Sequence, residues 1–204
     1  VPFVKDLAYS PDASQILFSV IRNGQSDLLL YQTASGEAEF LTNDIFDNLS
    51  PRYAPNGKSV YFVSNQKANS NSESEYYAIY KMDLDTKTLS FVTGNQEERI
   101  NYTEPIPLES GVISFLSDGN GIVNNYVYDL TTKTTYQLTN YKRCIIHNDV
   151  SSGAPVVADL LYFNNRYRIY VGTIEGDYKK DAIVNASSTA YRKLLDQELS
   201  LMFD

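Results

Sequence analysis

Five short pieces within residues 7–47 decide the fold: Ser10-Pro11-Asp12, Ile16-Leu17-Phe18-Ser19-Val20, Asn23-Gly24, Leu28-Leu29-Leu30-Tyr31 and Leu41-Thr42-Asn43-Asp44. Turn and strand signals alternate in them. Proline presets one backbone dihedral and glycine tolerates positive φ, so Pro-Asp and Asn-Gly mark tight turns between strands. The same order then recurs. Ala54-Pro55-Asn56-Gly57, Val60-Tyr61-Phe62-Val63-Ser64-Asn65, Ala78-Ile79-Tyr80-Lys81-Met82-Asp83 and Phe91-Val92-Thr93 form a second copy. Val112-Ile113-Ser114-Phe115-Leu116-Ser117, Asn120-Gly121, Tyr126-Val127-Tyr128-Asp129 and Tyr136-Gln137-Leu138-Thr139 form a third. A fourth keeps Leu160-Leu161-Tyr162-Phe163 and Arg168-Ile169-Tyr170-Val171. Tyr31, Tyr80, Tyr128 and Tyr170 hold matching places about 42 to 49 residues apart, the period of a four-stranded propeller blade.

The strand chemistry agrees. Short continuous apolar runs bounded by turn residues suit strands covered on both faces, as in a blade packed between two others. A β-sandwich also has evenly spaced strands, but it does not demand one turn-strand order every blade length. The reading is therefore all-β: propeller blades of four antiparallel strands, about four of them, at residues 1–47, 48–97, 98–141 and 142–174. A linker at 175–188 and a short C-terminal amphipathic helix at 189–204 complete the chain.

The pattern S-P-D-x-x-x-I-x-F-S, then G-x-x-D-[IL]-x-[LV]-Y, then L-T-x-D resembles the repeats of TolB-like propellers, also called PD40 or WD40-like repeats. Blades one and three match best, and Ser117-Asp118-Gly119-Asn120-Gly121-Ile122 is close to a segment frequent in that class. Blade four departs from it, with no S-P-D turn and no L-T close. The resemblance implies a bacterial periplasmic or outer-membrane-associated protein. TolB itself engages a peptidoglycan-associated lipoprotein, and larger relatives serve outer-membrane assembly or secretion. It speaks to fold more than to function, because such propellers serve peptidases and scaffolds alike.

Three clear blades and a partial fourth in 204 residues leave two readings open. One is the C-terminal part of a longer polypeptide, its larger ring completed by upstream blades or by another chain; the other is a small closed four-bladed propeller. Exposed blade edges would invite aggregation, which favours the larger ring. The net charge of −8 repels phosphate backbones, so nucleic acid is not an expected partner. No stretch reads as a membrane span. Seventeen tyrosines without a tryptophan fit a β-rich chain with amphipathic interfaces and argue against a carbohydrate-stacking propeller.

Catalytic chemistry is not legible. There is no G-x-S-x-G elbow, H-E-x-x-H pair, zinc-spaced Cys/His cluster or phosphate loop. His147 and Asp149 share one strand face with no nucleophile in view, so His147 is expected to be structural or channel-lining. Cys144 is expected to be a small core residue. The acidic loops at 43–47 and 117–121 lack a full calcium ligand set and read as turns. The expectation is no catalysis, no cofactor and no metal. Asn101-Tyr102-Thr103 and Asn185-Ala186-Ser187 match the glycosylation acceptor pattern by chance.

Binding residues are therefore sought on the loops. Asp47, Arg52, Glu98, Arg99 and Arg143 lie near the crossovers between blades, where a rigid scaffold usually carries its contacts. The polar insertion at 66–75 is expected to be a mobile, solvated hairpin loop. Ser187-Ser188-Thr189 caps a helix from about Ala190 to Met202. Tyr191, Leu194, Leu195, Leu199 and Met202 make its apolar face, opposite Arg192, Lys193, Gln197 and Glu198. So short a helix is marginal alone and must pack on its own propeller or on a partner, with Tyr191, Leu195 and Leu199 as contacts. The function this supports is a non-catalytic interaction scaffold for other envelope proteins in a Tol-Pal-like, secretion or outer-membrane assembly complex. The alternative is an accessory propeller of a peptidase whose catalytic domain lies elsewhere.

Overall fold

The computed structural model describes residues 3–68, 70–108, 111–151, 156–173, 183 and 186–203. Its strands group in sequence order. Blade one holds β1 (Phe3–Tyr9), β2 (Gln15–Arg22), β3 (Gln25–Gln32) and β4 (Ala38–Phe40). Blade two holds β5 (Asn48–Tyr53), β6 (Ser59–Gln66), β7 (Glu73–Asp83) and β8 (Leu89–Thr93). Blade three holds β9 (Tyr102–Pro107), β10 (Val112–Ser117), β11 (Asn124–Asp129) and β12 (Thr134–Gln137), and blade four holds β13 (Ile145–Val150), β14 (Val156–Phe163) and β15 (Arg166–Thr173). Each blade is an antiparallel meander with its strands in chain order. Three blades have four strands; the fourth has three among the described residues. The expected linker lies mostly outside the described residues, although the Ile183 amide donates to the Gln137 carbonyl on the outer edge of blade three, 2.8 Å away.

Local chemistry explains the turns. In blade one the Asp12 carboxylate accepts from the Ser10 and Ser14 hydroxyls and the Ser14 amide, closing the first turn. These donors hold the Asp12 carboxyl down at about 2. Asn23 and Gly24 both have positive φ, at 55° and 84°, the requirement of a two-residue hairpin turn whose twist matches the strands. Asn164 and Asn165 do the same in blade four, at 50° and 58°, joining Phe163 to Arg166. On the opposite side from these hairpins, the first and last turns of blades one, two and three are tied together: Thr33 to Ser14, Leu84 to Lys58 and Leu130 to Gly111, amide to carbonyl.

The inner strands β1, β5, β9 and β13 follow one another around the axis, and each carries a bulge. Between them the blades bury their faces. Leu17, Leu28 and Leu30 of blade one meet Val60, Phe62 and Tyr80 of blade two. Tyr61, Val63 and Ile79 of blade two meet Ile113, Phe115 and Tyr128 of blade three. The third joint is thinner, with Ile106, Val150 and Val157 in one cluster and Leu116, Ile145 and Leu161 in another. At the ends of the arc Phe3, Leu7 and Tyr9 are exposed on blade one, and Tyr162, Tyr167, Ile169 and Val171 on blade four.

Two expectations change. Cys144 is exposed, because it lies in the crossover ahead of β13 and not on a blade face. The insertion is shorter than its composition suggests: β6 runs through Gln66 and β7 starts at Glu73, which pair, so backbone pairing extends into polar sequence. His147, expected to be structural or channel-lining, is exposed on the inner strand β13 and bonded through Nδ1 to Glu104 of the preceding inner strand.

Candidate functional site

In an antiparallel blade the crossovers and the hairpins between second and third strands lie on the same side. The crossover segments at 41–47, 94–101 and 138–144 thus share a face with the hairpins at 23–24, 67–72 and 118–123. One bonding pattern builds this face twice. The Asp47 carboxylate accepts from the Ser26 amide of blade one at 3.0 Å, while the Asp47 amide donates to Asn65 Oδ1 of blade two at 2.8 Å. The Asn101 side-chain oxygen accepts from the Tyr77 amide of blade two, and the Asn101 amide donates to the Asp118 carboxylate of blade three at 2.7 Å. These two crossovers therefore staple the blade they leave to the blade they enter. Tyr77 also donates to Asp47 at 3.3 Å, and burial followed by the Asp47 charge pushes its hydroxyl up to about 12.

The helix (Ala190–Phe203) lies across this face. Thr189 caps it: its Oγ1 accepts from the Arg192 amide at 3.1 Å, as a residue at the N-cap should. The Thr189 amide in turn donates to the Asn120 carbonyl of the blade-three hairpin at 2.9 Å. Gly121 allows this approach, since a Cβ there would meet Thr189 Oγ1 at 2.0 Å and the residue has φ +86°. Leu195 and Leu199 are buried. Arg192, expected on the polar side, is only 4% exposed. Its guanidinium donates to the Glu98 carbonyl at 2.8 Å and pairs with Asp196 one turn on, at 2.7 Å. Burying a guanidinium is tolerable here because both its charge and its donors find partners.

Two clefts flank the helix. One, of about 520 Å³, is lined by Glu97, Glu98, Ile100, Gly119, Asp196 and Leu199 among others. The other, of about 740 Å³, opens between the 67–76 hairpin and the helix end, with Glu73, Glu75, Glu97, Phe91, Leu199 and Met202 on its walls. Both mix carboxylates with apolar surface. That arrangement can hold a protein segment; it does not gather a nucleophile with a base. Among the described residues no group of three or more His, Cys, Asp or Glu could hold a metal ion. No described helix is long and apolar enough to cross a membrane.

The residues singled out from sequence are distributed as follows. Glu98, Arg99, Leu195 and Leu199 come together beneath the helix, where Arg99 also reaches Met202 Sδ at 4.0 Å. Leu195 and Leu199 pack on the chain's own surface. Tyr191, at 72% exposed, points away. Asp47 is half-buried in its staple. Arg52 donates to the Pro51 carbonyl on the inner strand and does not join the crossover face. Arg143 is exposed, with its guanidinium 5.3 Å from the Phe163 ring centre. Sequence reasoning missed Arg192, Asn101, Asn65 and Asp118. Arg192 carried one usable signal, its i, i+4 spacing to Asp196.

Fold and face together define a β-propeller arc with a loop-lined, helix-covered surface. The chain is similar to TolB-like propellers. It is 28% identical over 182 residues to the Tol-Pal system protein TolB of Francisella tularensis subsp. holarctica (strain OSU18), covering 89% of this chain and 39% of that protein. It is 30% identical over 126 residues to the protein of the same name from F. tularensis subsp. mediasiatica (strain FSC147), covering 62% of this chain and 27% of that protein. The chain thus spans well under half the length of these relatives. Among solved structures, TolB from Acinetobacter baumannii superposes with a TM-score of 0.69 at 21% identity, over 90% of this chain and 43% of that one. A Mycobacterium tuberculosis puromycin-hydrolyzing peptidase superposes with a TM-score of 0.62 at 13% identity, over 85% and 29%. No family model matches the sequence.

Proposed function

We propose that the chain is a non-catalytic interaction scaffold of the bacterial cell envelope, periplasmic or outer-membrane-associated, acting with other envelope proteins in a Tol-Pal-like complex. The observation that carries this reading is the sequence likeness to proteins named Tol-Pal system protein TolB along 182 residues. The architecture supports it: rigid stapled blades hold a loop face whose clefts mix charge and apolar surface, a setting for protein contacts. Glu98, Arg99, Arg143 and Tyr191 are the side chains best placed to meet a partner there. The uncovered faces of blades one and four support a larger ring in which further blades pack against both ends.

The peptidase alternative has support only in blade shape, since the peptidase neighbours share 13% identity or less. The deciding experiment uses the full natural polypeptide. Its fractionation should place it in the envelope, and calorimetric titration against the peptidoglycan-associated lipoprotein of the same cell should show micromolar or tighter binding. Hydrolysis of proline-containing peptides, lost on serine-directed inactivation, together with no lipoprotein binding, would overturn the scaffold reading in favour of the alternative.

A further inference from the structure

The joint between blades three and four differs from the others in being polar at its centre. Ser114, Asn125, Asn148 and Asp159 are all buried there, Asn148 at 5% and Asp159 at 2% exposed. Asn125 sits between two chains of donors. Its Nδ2 donates to Asp159 Oδ1 at 2.7 Å, and its Oδ1 accepts from Asn148 Nδ2 at 2.9 Å and from the Ser114 hydroxyl at 3.4 Å. Asn148 and Asp159 are direct cross-strand partners on β13 and β14. Side chains opposite each other on one sheet face lie within reach of one another, and both already reach the same Asn125 amide. Yet Asn148 Oδ1 is buried without a hydrogen-bond partner. Two sides of a three-membered hydrogen-bond ring are made; the third brings together two acceptors, a carboxamide oxygen and a carboxylate. An orphaned buried acceptor is costly, and here the missing element is a single hydrogen.

We propose that Asp159 binds a proton at this joint and donates it to Asn148 Oδ1, closing the ring Asp159–Asn148–Asn125 and locking blade four onto blade three as the surroundings acidify. The proton comes from solvent water and replaces the charge of a carboxylate beside which no cation stands among the described residues. The groups around Asp159 allow this. Asn148 faces it from β13, Asn125 from β11 and Tyr170 from β15. The Tyr141 hydroxyl, from the preceding crossover, lies beside the carboxylate and favours its charged form. On the neighbouring strands His147 is bonded to Glu104, and Arg168 lies over the Phe163 ring at 5.6 Å. Burial outweighs the tyrosine and raises the Asp159 carboxyl to about 6.

The sign follows from linkage. The carboxyl is neutral in folded and unfolded chains below its ordinary 3.8, so the joint is at full strength there. As pH rises through about 6 the folded chain gives up the proton and the closing bond, and that stability is lost. The joint is therefore tighter near pH 5 than near pH 8.

A carboxyl-detected NMR titration of the full chain tests this. Asp159 should titrate near 6, and the Asn148 side-chain carbonyl should shift with the same midpoint. Asn148→Ala should lower the midpoint by about one unit, because the neutral form loses its acceptor. Asp159→Asn supplies a permanent donor to Asn148 Oδ1, so its Tm should exceed that of the parent at pH 8 and lose the dependence between pH 4 and 7. An Asp159 midpoint near 4 in the unsubstituted chain, or an Asn148 signal that ignores it, overturns the proposal without relying on any variant to fold.

Discussion

Blades two and three differ from blades one and four in what covers them, although the repeat written into all four is much the same. Every residue of β10 and β11 is buried, as are the first six of β6. Every residue of β15 is exposed, and most of β1. Phe18, Phe62 and Phe115 occupy one repeat position. Phe62 faces blade one, Phe115 faces blade two, and both are fully buried. Phe18 alternates with Leu17, which faces blade two, so it looks the other way, where no blade precedes it; it is only half-buried. The comparison teaches that the apolar run of each second strand is an interface to be covered, and that covering it is the work of the neighbouring blade.

The largest test of that contrast is Phe115→Ala against Phe18→Ala. Emptying a fully packed joint should cost about 3–5 kcal/mol. The half-covered position should cost only about 1 kcal/mol, in line with the smaller area removed from water. Urea denaturation of both variants reads the difference, and equal losses would break the comparison. Next is the staple. Asn101→Ala removes the acceptor for the Tyr77 amide and a donor to Asp118, and should cost about 1–3 kcal/mol. Amide exchange should then speed at Tyr77 well before it does at Ser26, whose acceptor is Asp47.

A smaller effect is expected at the helix. Gly121→Ala places a methyl on Thr189 Oγ1 at a left-handed φ and should destabilise the cap by about 1 kcal/mol or more. Exchange should rise through residues 190–200 with blades two and three unaffected. Smallest is the Asp12 turn in blade one. Its carboxyl sits at about 2 in the folded chain against 3.8 ordinarily, so a slight stabilisation present above pH 4 is lost as pH falls towards 2. Asp12→Ala should flatten that part of the Tm profile and leave the rest unchanged.

The blades were legible in the sequence because Pro-Asp, Asn-Gly and short apolar runs act locally and repeat. Where the sequence reading went astray, the deciding contacts were distant. Asp47 looked like an exposed loop carboxylate, but its amide and carboxylate are both used by neighbouring blades. Arg192 looked like a solvated helix residue; its burial is tolerable because the Glu98 carbonyl, 94 residues away in the chain, joins Asp196 as its partner. Cys144 followed the usual preference of cysteine for cores and is exposed, since its crossover has no blade face to join. Helical spacing identified Leu195 and Leu199 as an apolar face, but such a pattern names no address, and the address here is the crossover surface.

The crossover bonds have a direction at the backbone, because the Asp47 and Asn101 amides both point forward to the blade the chain enters. A duplicated segment 48–101 inserted after Asn101 would offer the first copy's Asn101 amide the duplicated Asn65, as the original Asn65 serves Asp47. An arc of this build can be lengthened by gene duplication without inventing a new joint. A chain so extended should melt no lower than its parent, which makes blade number an inheritable length and not a chemical constraint.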